Sequence, residues 1–370
     1  MRIPLSAPDI DESDIDAVVG VLRTPQISRG PKLVEFEEYF AAYTGVPYAV
    51  ALSSGTAGLH LGMLALGIGE GDEVILPSFT FIAVANAILH VRATPVFVDI
   101  DAHSLNLDPG KVERAITRRT RAIIAVHTFG CPADMSPLLA MAEKHGLRVI
   151  EDASEAIGAE HRGNRAGGLG SFGVFGFYPN KPITTGEGGM VTTRDRRLAE
   201  TLRALRNQGR RPEDGRLGHS LLGYNFRISD INCALGFAQM KRIESILERR
   251  EAAAQCYAEH LRADPRVTLP QLSIENGRLS WFVFVVRVEH RDAVARSLAE
   301  RCIACGKYFP PLHLQPLFAP YVDRGADLSV SESVSAQTLA LPFFTRITRE
   351  QIADVCSNLQ EVVTSHARRT

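Results

Sequence analysis

The chain has 370 residues, a length that fits a large domain plus a smaller one, and its 45% hydrophobic and 22% charged content excludes wholesale disorder. The formal net charge of −1 gives no support to a nucleic-acid or anionic-membrane partner. The N-terminus lacks the apolar core of a signal peptide and no apolar run reaches membrane-spanning length, so the sequence predicts a cytoplasmic protein without a membrane partner.

Short β-rich runs alternate with helical patterns through the first two-thirds of the chain. The runs are almost continuously apolar, which is typical of parallel strands that helices cover on both faces. They are YAVALSS (48–54), EVILP (73–77), PVFVDI (95–100), RAIIAVH (121–127) and LRVIED (147–152). Helical segments such as MSPLLAMAEKHG separate them, and FGVFGF and GGMVTT continue the sheet. The pattern predicts an α/β fold with a mostly parallel sheet flanked by helices.

A long helical stretch runs from about residue 229 to 262, with Ser229 and Asp230 as N-cap candidates. The pattern then changes to a strand-like WFVFVVRV (281–288), a helix through DAVARSLAERCIACG and a terminal helix. These elements predict a smaller α+β C-terminal domain, joined to the large domain by one long helix that starts near residue 229. We place the large domain, with the N-terminal segment, at 1–240 and the small domain at 241–370.

The six cysteines are scattered along the chain and do not suggest a disulfide framework. Cys302 and Cys305 form a CxxC, but no second CxxC or histidine pair follows to complete a zinc site. We therefore predict reduced thiols and no metal.

Several residues at strand ends suit pyridoxal 5′-phosphate (PLP), which must be held by its phosphate, ring nitrogen, ring face and aldehyde carbon. For the phosphate, the first strand leads into SSGT. There Gly55 permits a tight turn, and Thr56 offers a hydroxyl and an N–H at a helix start, where the helix dipole favours an anion. A simple helix N-cap is the alternative explanation of this motif.

Three further residues match the remaining parts of the cofactor. Asp152, at the end of LRVIED, can keep a ring nitrogen protonated, although a helix N-cap is the alternative. Phe81 can stack on the ring, although a buried phenylalanine is more often part of a core. Lys181, in FGFYPNKPITTGEGG, can form an imine with the aldehyde carbon and then shuttle a proton between substrate and cofactor. For a lone lysine, a solvated surface charge is the simpler alternative.

In their order and spacing, SGTAGLHL, PSFTF, EDASEAIGA, FGFYPNKPITTGEGGMVTT and NFRISDINCALGFAQM resemble the DegT/DnrJ-type nucleotide-sugar aminotransferases. Those are PLP enzymes of fold type I, the aspartate aminotransferase-like fold, and the resemblance covers almost the whole chain. It implies that Lys181 carries the internal aldimine and that Asp152 pairs with the ring nitrogen. It also implies that Phe81 stacks on the ring, while Gly55 and Thr56 bind the phosphate.

The resemblance also extends to residues around the cofactor. Asn225, in NFR, matches an asparagine that reaches the phosphate from the partner subunit, which implies an obligatory homodimer with shared active sites. His313 matches a family histidine near the sugar substrate, with a packed loop histidine as the alternative. Arg210, in the basic glycine-rich stretch 206–220, can contact a nucleotide diphosphate, although solvated charge is the simpler explanation.

Two positions depart from the family pattern. Gly176 lies five residues before Lys181, where many relatives have a serine whose hydroxyl helps to hold the phosphate. Glu155 lies three residues after Asp152, where glutamine is common and faces the 3-hydroxyl of the cofactor. Because a carboxylate beside a phenolate is repelled unless one of them holds a proton, we predict a raised pKa at Glu155 or a shared proton.

The leading prediction is a ping-pong aminotransferase that moves an amino group from glutamate or glutamine to the ketone of a sugar nucleotide or of a cyclitol, in polysaccharide or antibiotic biosynthesis. A PLP-dependent sugar dehydratase is disfavoured because such relatives carry histidine in place of the imine lysine. A non-catalytic PLP-binding regulator is disfavoured by the retained Lys181, Asp152 and phosphate loop. A Rossmann dehydrogenase fails because no G-x-G-x-x-G follows the first strand.

Overall fold

The computed structural model describes residues 3–211, 218–323 and 325–367. Residues 212–217, which belong to the predicted basic loop 206–220, lie outside this described part. No helix within the described ranges is long and apolar enough to cross a membrane.

The first part of the chain alternates helices and strands, as the apolar runs predict. In chain order its elements are α1 (Glu12–Leu22), α2 (Pro31–Thr44), β1 (Tyr48–Leu52), α3 (Gly55–Ala65), β2 (Glu73–Pro77), α4 (Ala83–His90), β3 (Thr94–Val98), α5 (Pro109–Ala115), β4 (Thr120–Val126), α6 (Met135–His145), β5 (Arg148–Asp152), β6 (Glu160–His161), β7 (Asn164–Arg165), β8 (Phe172–Gly176), β9 (Gly189–Thr193) and α7 (Arg196–Leu205).

The second part of the chain adds further helices and strands. They are α8 (Asp230–Met240), α9 (Ile243–Leu261), β10 (Val267–Thr268), β11 (Gly277–Arg278), β12 (Phe284–Val288), α10 (Arg291–Glu300), α11 (Ser329–Gln337), β13 (Thr338–Leu341) and α12 (Arg349–Ala367). Of these strands, β11 pairs with β6 of the first part. Short 3₁₀ turns lie at Thr128–Gly130, Leu312–Leu314 and Pro316–Tyr321.

The main sheet has seven strands in the order β1-β9-β8-β5-β4-β2-β3. Strand β9 runs antiparallel to both of its neighbours, and all the other pairs are parallel. The predicted mostly parallel α/β sheet is therefore confirmed. The carboxyl ends of β1, β2, β4, β5 and β8 and the amino end of β9 share one edge, and ligands of α/β proteins bind at such an edge.

Helices cover both faces of this sheet, and neighbouring residues of one strand point to opposite layers. In β8, Val174 is buried in the cluster formed with α3, α4 and α7. The next residue, Phe175, packs instead on Phe40 of α2 with ring centroids 4.8 Å apart. Because helices cover both faces of the sheet, the strand residues on both faces are apolar, and the strands read as continuous hydrophobic runs in the sequence.

The second sheet, β10-β12-β13, is antiparallel and forms a separate core with α9, α10 and α12. Tyr257, Phe284 and Phe343 are buried at its centre. Ile3 of the N-terminal segment packs into the same core, and its N–H donates to the carbonyl of Cys302 at 3.1 Å. The domain boundary at residue 240 stays a prediction.

The predicted single long helix from 229 to 262 is wrong, because α8 and α9 are two helices separated at Lys241 and Arg242. Arg242 leaves the helical conformation (φ −107°, ψ 5°). Its guanidinium donates to Asp14 of α1 at 2.6 Å. The expected N-cap is confirmed for Ser229, whose hydroxyl accepts from the N–H of Asn232, whereas Asp230 accepts the first N–H groups of α2.

Candidate active site

One end of the site is a cradle of backbone atoms at the start of α3. Ser54 is the N-cap, and its hydroxyl accepts the Ala57 N–H at 3.1 Å. The N–H groups of Gly55 and Thr56 lie in the first turn, where they have no partner inside the helix. They are therefore available to an anion at the edge of the sheet.

Two glycines that pair across β8 and β9 line this cradle and have different surroundings. A Cβ on Gly189 would lie 2.5 Å from the backbone nitrogen of Gly55, so only glycine lets β9 approach α3 so closely. A Cβ on Gly176 would meet only Ser154, at 3.6 Å. Gly176 is therefore not required sterically, and the space beside it would accommodate a small side chain.

Asp152 ends β5 at the same edge and is 8% exposed. Its Oδ1 accepts the N–H of Ser154 at 3.1 Å, and Oδ2 makes no hydrogen bond within the described ranges. A turn follows the strand, so Asp152 does not cap a helix as the alternative explanation proposed. One carboxylate oxygen remains available to a ligand.

Lys181 lies in the turn after β8 and is not a solvated surface charge. Its side chain is 14% exposed, and Nζ lies 3.5 Å from Oε1 of Glu155. On another side, Nζ lies 3.8 Å from the centroid of the Phe282 ring, a distance typical of a cation–π contact.

Glu155 is buried, and its Oε2 accepts the Phe129 N–H at 2.8 Å. Burial raises the pKa of this carboxyl, and the negative charge of Asp152 raises it further. The charge of Lys181 and the hydrogen bond from the Phe129 N–H lower the same pKa, but by less. The direction agrees with the prediction, but the main cause in this structure is loss of solvent. Repulsion by a cofactor hydroxyl, on which the prediction was based, stays a prediction.

Phe282 and Arg250 are parts of the site that sequence reasoning missed. Arg250 of α9 is 2% exposed and donates to the carbonyls of Trp281 at 2.6 Å and Phe282 at 2.7 Å. It thereby fixes the backbone that carries the Phe282 ring against Lys181. No motif marks either residue, because Phe282 is about 100 positions from the lysine that it contacts.

Phe81 precedes α4 and is 58% exposed, so it is not a core residue. Its ring centroid lies 6.3 Å from that of Phe309. An exposed ring at the ligand edge of the sheet suits the predicted stacking on a planar cofactor.

His313 has both ring nitrogens occupied. Nδ1 lies 2.6 Å from the Ser78 hydroxyl, and Nε2 lies 3.1 Å from Oε1 of Glu332. The structure thus matches the packed loop histidine better than a histidine that is free to bind a sugar, and contact with a substrate stays a prediction.

The other two predicted residues lie in the segments around the basic loop. Asn225 is exposed, and the neighbouring Phe226 accepts the Ser53 N–H at 2.9 Å, which ties this segment to the start of the cradle. Arg210 is half-buried, and its Nε has no hydrogen-bond partner among the described residues. It is therefore not a fully solvated charge, and its contact with a nucleotide stays a prediction.

Glu151, next to Asp152, has a structural environment. It accepts the N–H groups of Gly167, Leu169 and Gly170 and lies 3.0 Å from Nε2 of His127. Ala133 donates to Nδ1 of the same ring, so Nε2 carries the proton and donates to Glu151. Burial opposes ionisation, but these hydrogen bonds outweigh it and hold the pKa of Glu151 below its usual value.

Known proteins resemble this chain over almost its whole length. The sequence profile of the DegT/DnrJ/EryC1/StrS aminotransferase family matches residues 8–360. GDP-perosamine synthase of Caulobacter vibrioides is 42% identical over 98% of both chains. The structure of DesV from S. venezuelae, in complex with a ketimine intermediate, is 38% identical, covers 97% of this chain and 98% of that chain, and superposes with a TM-score of 0.91. Spr1654 of Streptococcus pneumoniae in its PLP form is 29% identical over 99% of both chains, with a TM-score of 0.94.

Proposed function

Because the chain belongs to the DegT/DnrJ/EryC1/StrS aminotransferase family, we propose that it uses PLP to move an amino group from glutamate or glutamine to the ketone of a sugar nucleotide. The family is one of aminotransferases, and two relatives are named as aminotransferases of UDP-linked sugars. The observation that carries the proposal is the enclosed amine of Lys181, which faces Glu155 at the edge of the sheet where α3 and β5 present the anion cradle and Asp152.

The residues of the site fit PLP. The unpaired N–H groups at the start of α3 and the close approach of Gly189 form a cradle that suits a phosphate. The free Oδ2 of Asp152 suits a protonated ring nitrogen, and the exposed Phe81 offers a ring face. PLP occurs in the structural relative Spr1654, which supports the same cofactor in this chain.

When bound, PLP supplies an electron-withdrawing ring that stabilises negative charge at the reacting carbon of the substrate. Lys181 Nζ would hold the cofactor covalently and then carry a proton to and from that carbon. Asp152 would keep the ring nitrogen protonated, and Gly55 and Thr56 would bind the phosphate. Phe282 covers Nζ on one side and excludes water from that side of the amine.

A panel assay tests the acceptor and the donor. Purified protein with PLP is incubated with glutamate, glutamine or alanine and with keto-sugar nucleotides, a GDP-linked sugar first because of the relative from Caulobacter. We expect loss of the ketone and gain of an amine by mass, with glutamate or glutamine as the best donor. Amination of cyclitol ketones alone would assign the acceptor to that class, and no amination of any ketone would refute the proposal.

The ping-pong order has its own test. Addition of the amino donor alone should convert the yellow enzyme to a colourless form, and the ketone added afterwards should restore the colour. A requirement for both substrates before any spectral change would contradict this order.

We further propose a homodimer in which Asn225 enters the active site of the partner subunit. Its exposure and its position beside the cradle support this arrangement. Lys181→Ala and Asn225→Ala should each be inactive alone. Mixed and reassembled subunits should regain part of the activity, because one site of the hybrid contains both native residues. No recovery from a mixture shown to contain hybrids would exclude shared sites.

A further inference from the structure

The amine of Lys181 has few routes by which to exchange a proton. Its side chain is 14% exposed, and the Phe282 ring covers one side at 3.8 Å. Phe282 itself is 2% exposed, so solvent does not reach the amine through that ring. Among the described residues, the only hydrogen-bonding contact of Nζ is with Oε1 of Glu155, at 3.5 Å.

The surrounding backbone holds the Glu155 carboxylate in the orientation that this contact needs. Oε2 is engaged by the N–H of Phe129, so Oε1 is the oxygen left for Lys181. Phe129 has φ 55°, a left-handed conformation that costs a bulky residue energy and is typical of functional turns. The Phe129 ring stacks on Phe309 at 5.4 Å, and Gly130 accepts the Ser280 N–H at 2.9 Å, so the turn is fixed from both sides.

We propose that Glu155 is a second acid–base group of the site, which takes a proton directly from Nζ of Lys181 and returns it. An N–H bond of the ammonium breaks, an O–H bond forms on Oε1, and both charges disappear. No other group changes. The flexible lysine chain has to shorten the separation by only about 0.5–0.7 Å to reach an ordinary hydrogen-bond length.

The electrostatics of the pocket make such a transfer feasible. Two charges buried away from water lose much of their hydration, so the neutral pair approaches the ion pair in free energy. Two further ionisable groups of the described part of the chain interact with Glu155: Asp152, whose charge raises the pKa of Glu155, and Tyr308. Burial and the charge of Glu155 both raise the pKa of the Tyr308 hydroxyl, so it stays protonated at neutral pH. Asp152 therefore favours the protonated form of Glu155.

The inference predicts an unusual pH dependence for Lys181. Two groups that share a proton hold it jointly over an intermediate pH range. If that proton moves between the two groups, a constant fraction of Lys181 is neutral throughout this range, and the reactivity of the amine is independent of pH. Glutamine cannot take the proton, so Glu155→Gln should remove this plateau.

The test uses the full chain freed of PLP and the neutral amine reagent 1-fluoro-2,4-dinitrobenzene, with labelling of each lysine followed by peptide mass spectrometry. In the wild type, the rate at Lys181 should change less than about twofold over at least about one pH unit. In Glu155→Gln it should rise about tenfold per pH unit, as for an isolated amine. Exposed Lys144 is the internal control, and Glu187→Gln, which removes an exposed carboxylate from the lysine loop, is the matched variant.

A tenfold rise per pH unit at Lys181 in the wild type would overturn the inference, and this outcome needs no variant to fold. Retention of the plateau in Glu155→Gln would overturn it as well. The inference rests on the proposed function for its role in catalysis, so PLP is added to a parallel sample and trapped with borohydride. Failure to trap PLP on Lys181 would refute the proposed function but leave the proton exchange standing if the plateau is present.

Discussion

Two buried glutamates four residues apart illustrate how differently this protein treats the same side chain. Glu151 accepts three backbone N–H groups and the proton on His127, and its pKa lies below the usual value. Glu155 accepts one backbone N–H and contacts Lys181 at 3.5 Å, and its pKa lies above the usual value.

Both carboxyls are buried, with Glu151 0% and Glu155 7% exposed, so the number of donors decides the direction of the shift. A carboxylate surrounded by donors is locked in its charged form and fixes the loop that carries Gly167 and Gly170. A carboxylate with few donors can gain and lose a proton. The comparison therefore separates a structural region around Glu151 from a reactive region around Glu155.

Lys181→Ala gives the largest expected effect, because it removes both the covalent anchor and the partner of Glu155. We expect the kcat/KM for amination to fall at least about 10³-fold, since acid–base and covalent roles are lost together. Stability should change little by comparison. The assay is amination followed by mass, with exposed Lys144→Ala as control, and activity within about tenfold of the wild type would refute the role of Lys181.

Glu151→Gln tests the structural region. Four donors converge on the carboxylate, and the amide of glutamine replaces one accepting oxygen with a donor group. At least one N–H then faces another donor in a dry site, at a cost of about 3 kcal/mol in the free energy of unfolding. Denaturant unfolding of the variant and the wild type measures this loss of stability. Exposed Glu143→Gln, the control on α6, should stay within about 0.5 kcal/mol of the wild type.

A loss below about 1 kcal/mol for Glu151→Gln would contradict the structural assignment. It would show that the loop at 167–170 holds its shape without the carboxylate. Glu151 would then be no more important for stability than Glu155, and the distinction between a structural and a reactive region would be refuted.

The sequence predicted those parts of the molecule whose signals are local. Apolar runs predicted the strands, and Ser229 was recognised as an N-cap because the signal lies within three residues. Motifs at strand ends predicted Lys181 and Asp152 as site residues, and their roles stay predictions. The structural role of Glu151 was not predicted, since its hydrogen-bond donors come from a loop 16 to 19 residues away and from His127. Phe282 and the break at Arg242 escaped prediction because both depend on contacts between segments far apart in sequence.

The two glutamates should also respond to pH in opposite directions. The folded pKa of Glu151 is lowered, so its contribution to stability is complete above the unfolded pKa and is lost as pH falls through the folded value. The folded pKa of Glu155 is raised, so stability falls as pH rises from the unfolded value, about 4.3, toward the folded value.

The free energies of unfolding of the wild type and of both glutamine variants, measured between pH 3 and 7, test these opposite pH dependences. The deficit of Glu151→Gln relative to the wild type should be greatest at pH 7 and should shrink toward pH 4 and below. Glu155→Gln should gain relative to the wild type over the same rise in pH. Parallel pH profiles for the two variants would remove the distinction between the regions.

The smallest expected effect is the stability change of Glu155→Gln at neutral pH, which we expect to lie within about 1 kcal/mol of zero. The amide oxygen can still accept the Phe129 N–H. The variant also avoids the free-energy cost of ionising a buried carboxyl. Loss of the contact with Lys181 acts in the other direction. Denaturant unfolding beside Glu151→Gln makes the comparison direct, because the same atoms change in both variants. A loss of stability as large as that of Glu151→Gln would mean that Glu155 is also a structural anchor. The fold would then depend on a fixed charge at Glu155, which conflicts with a group that gains and releases a proton.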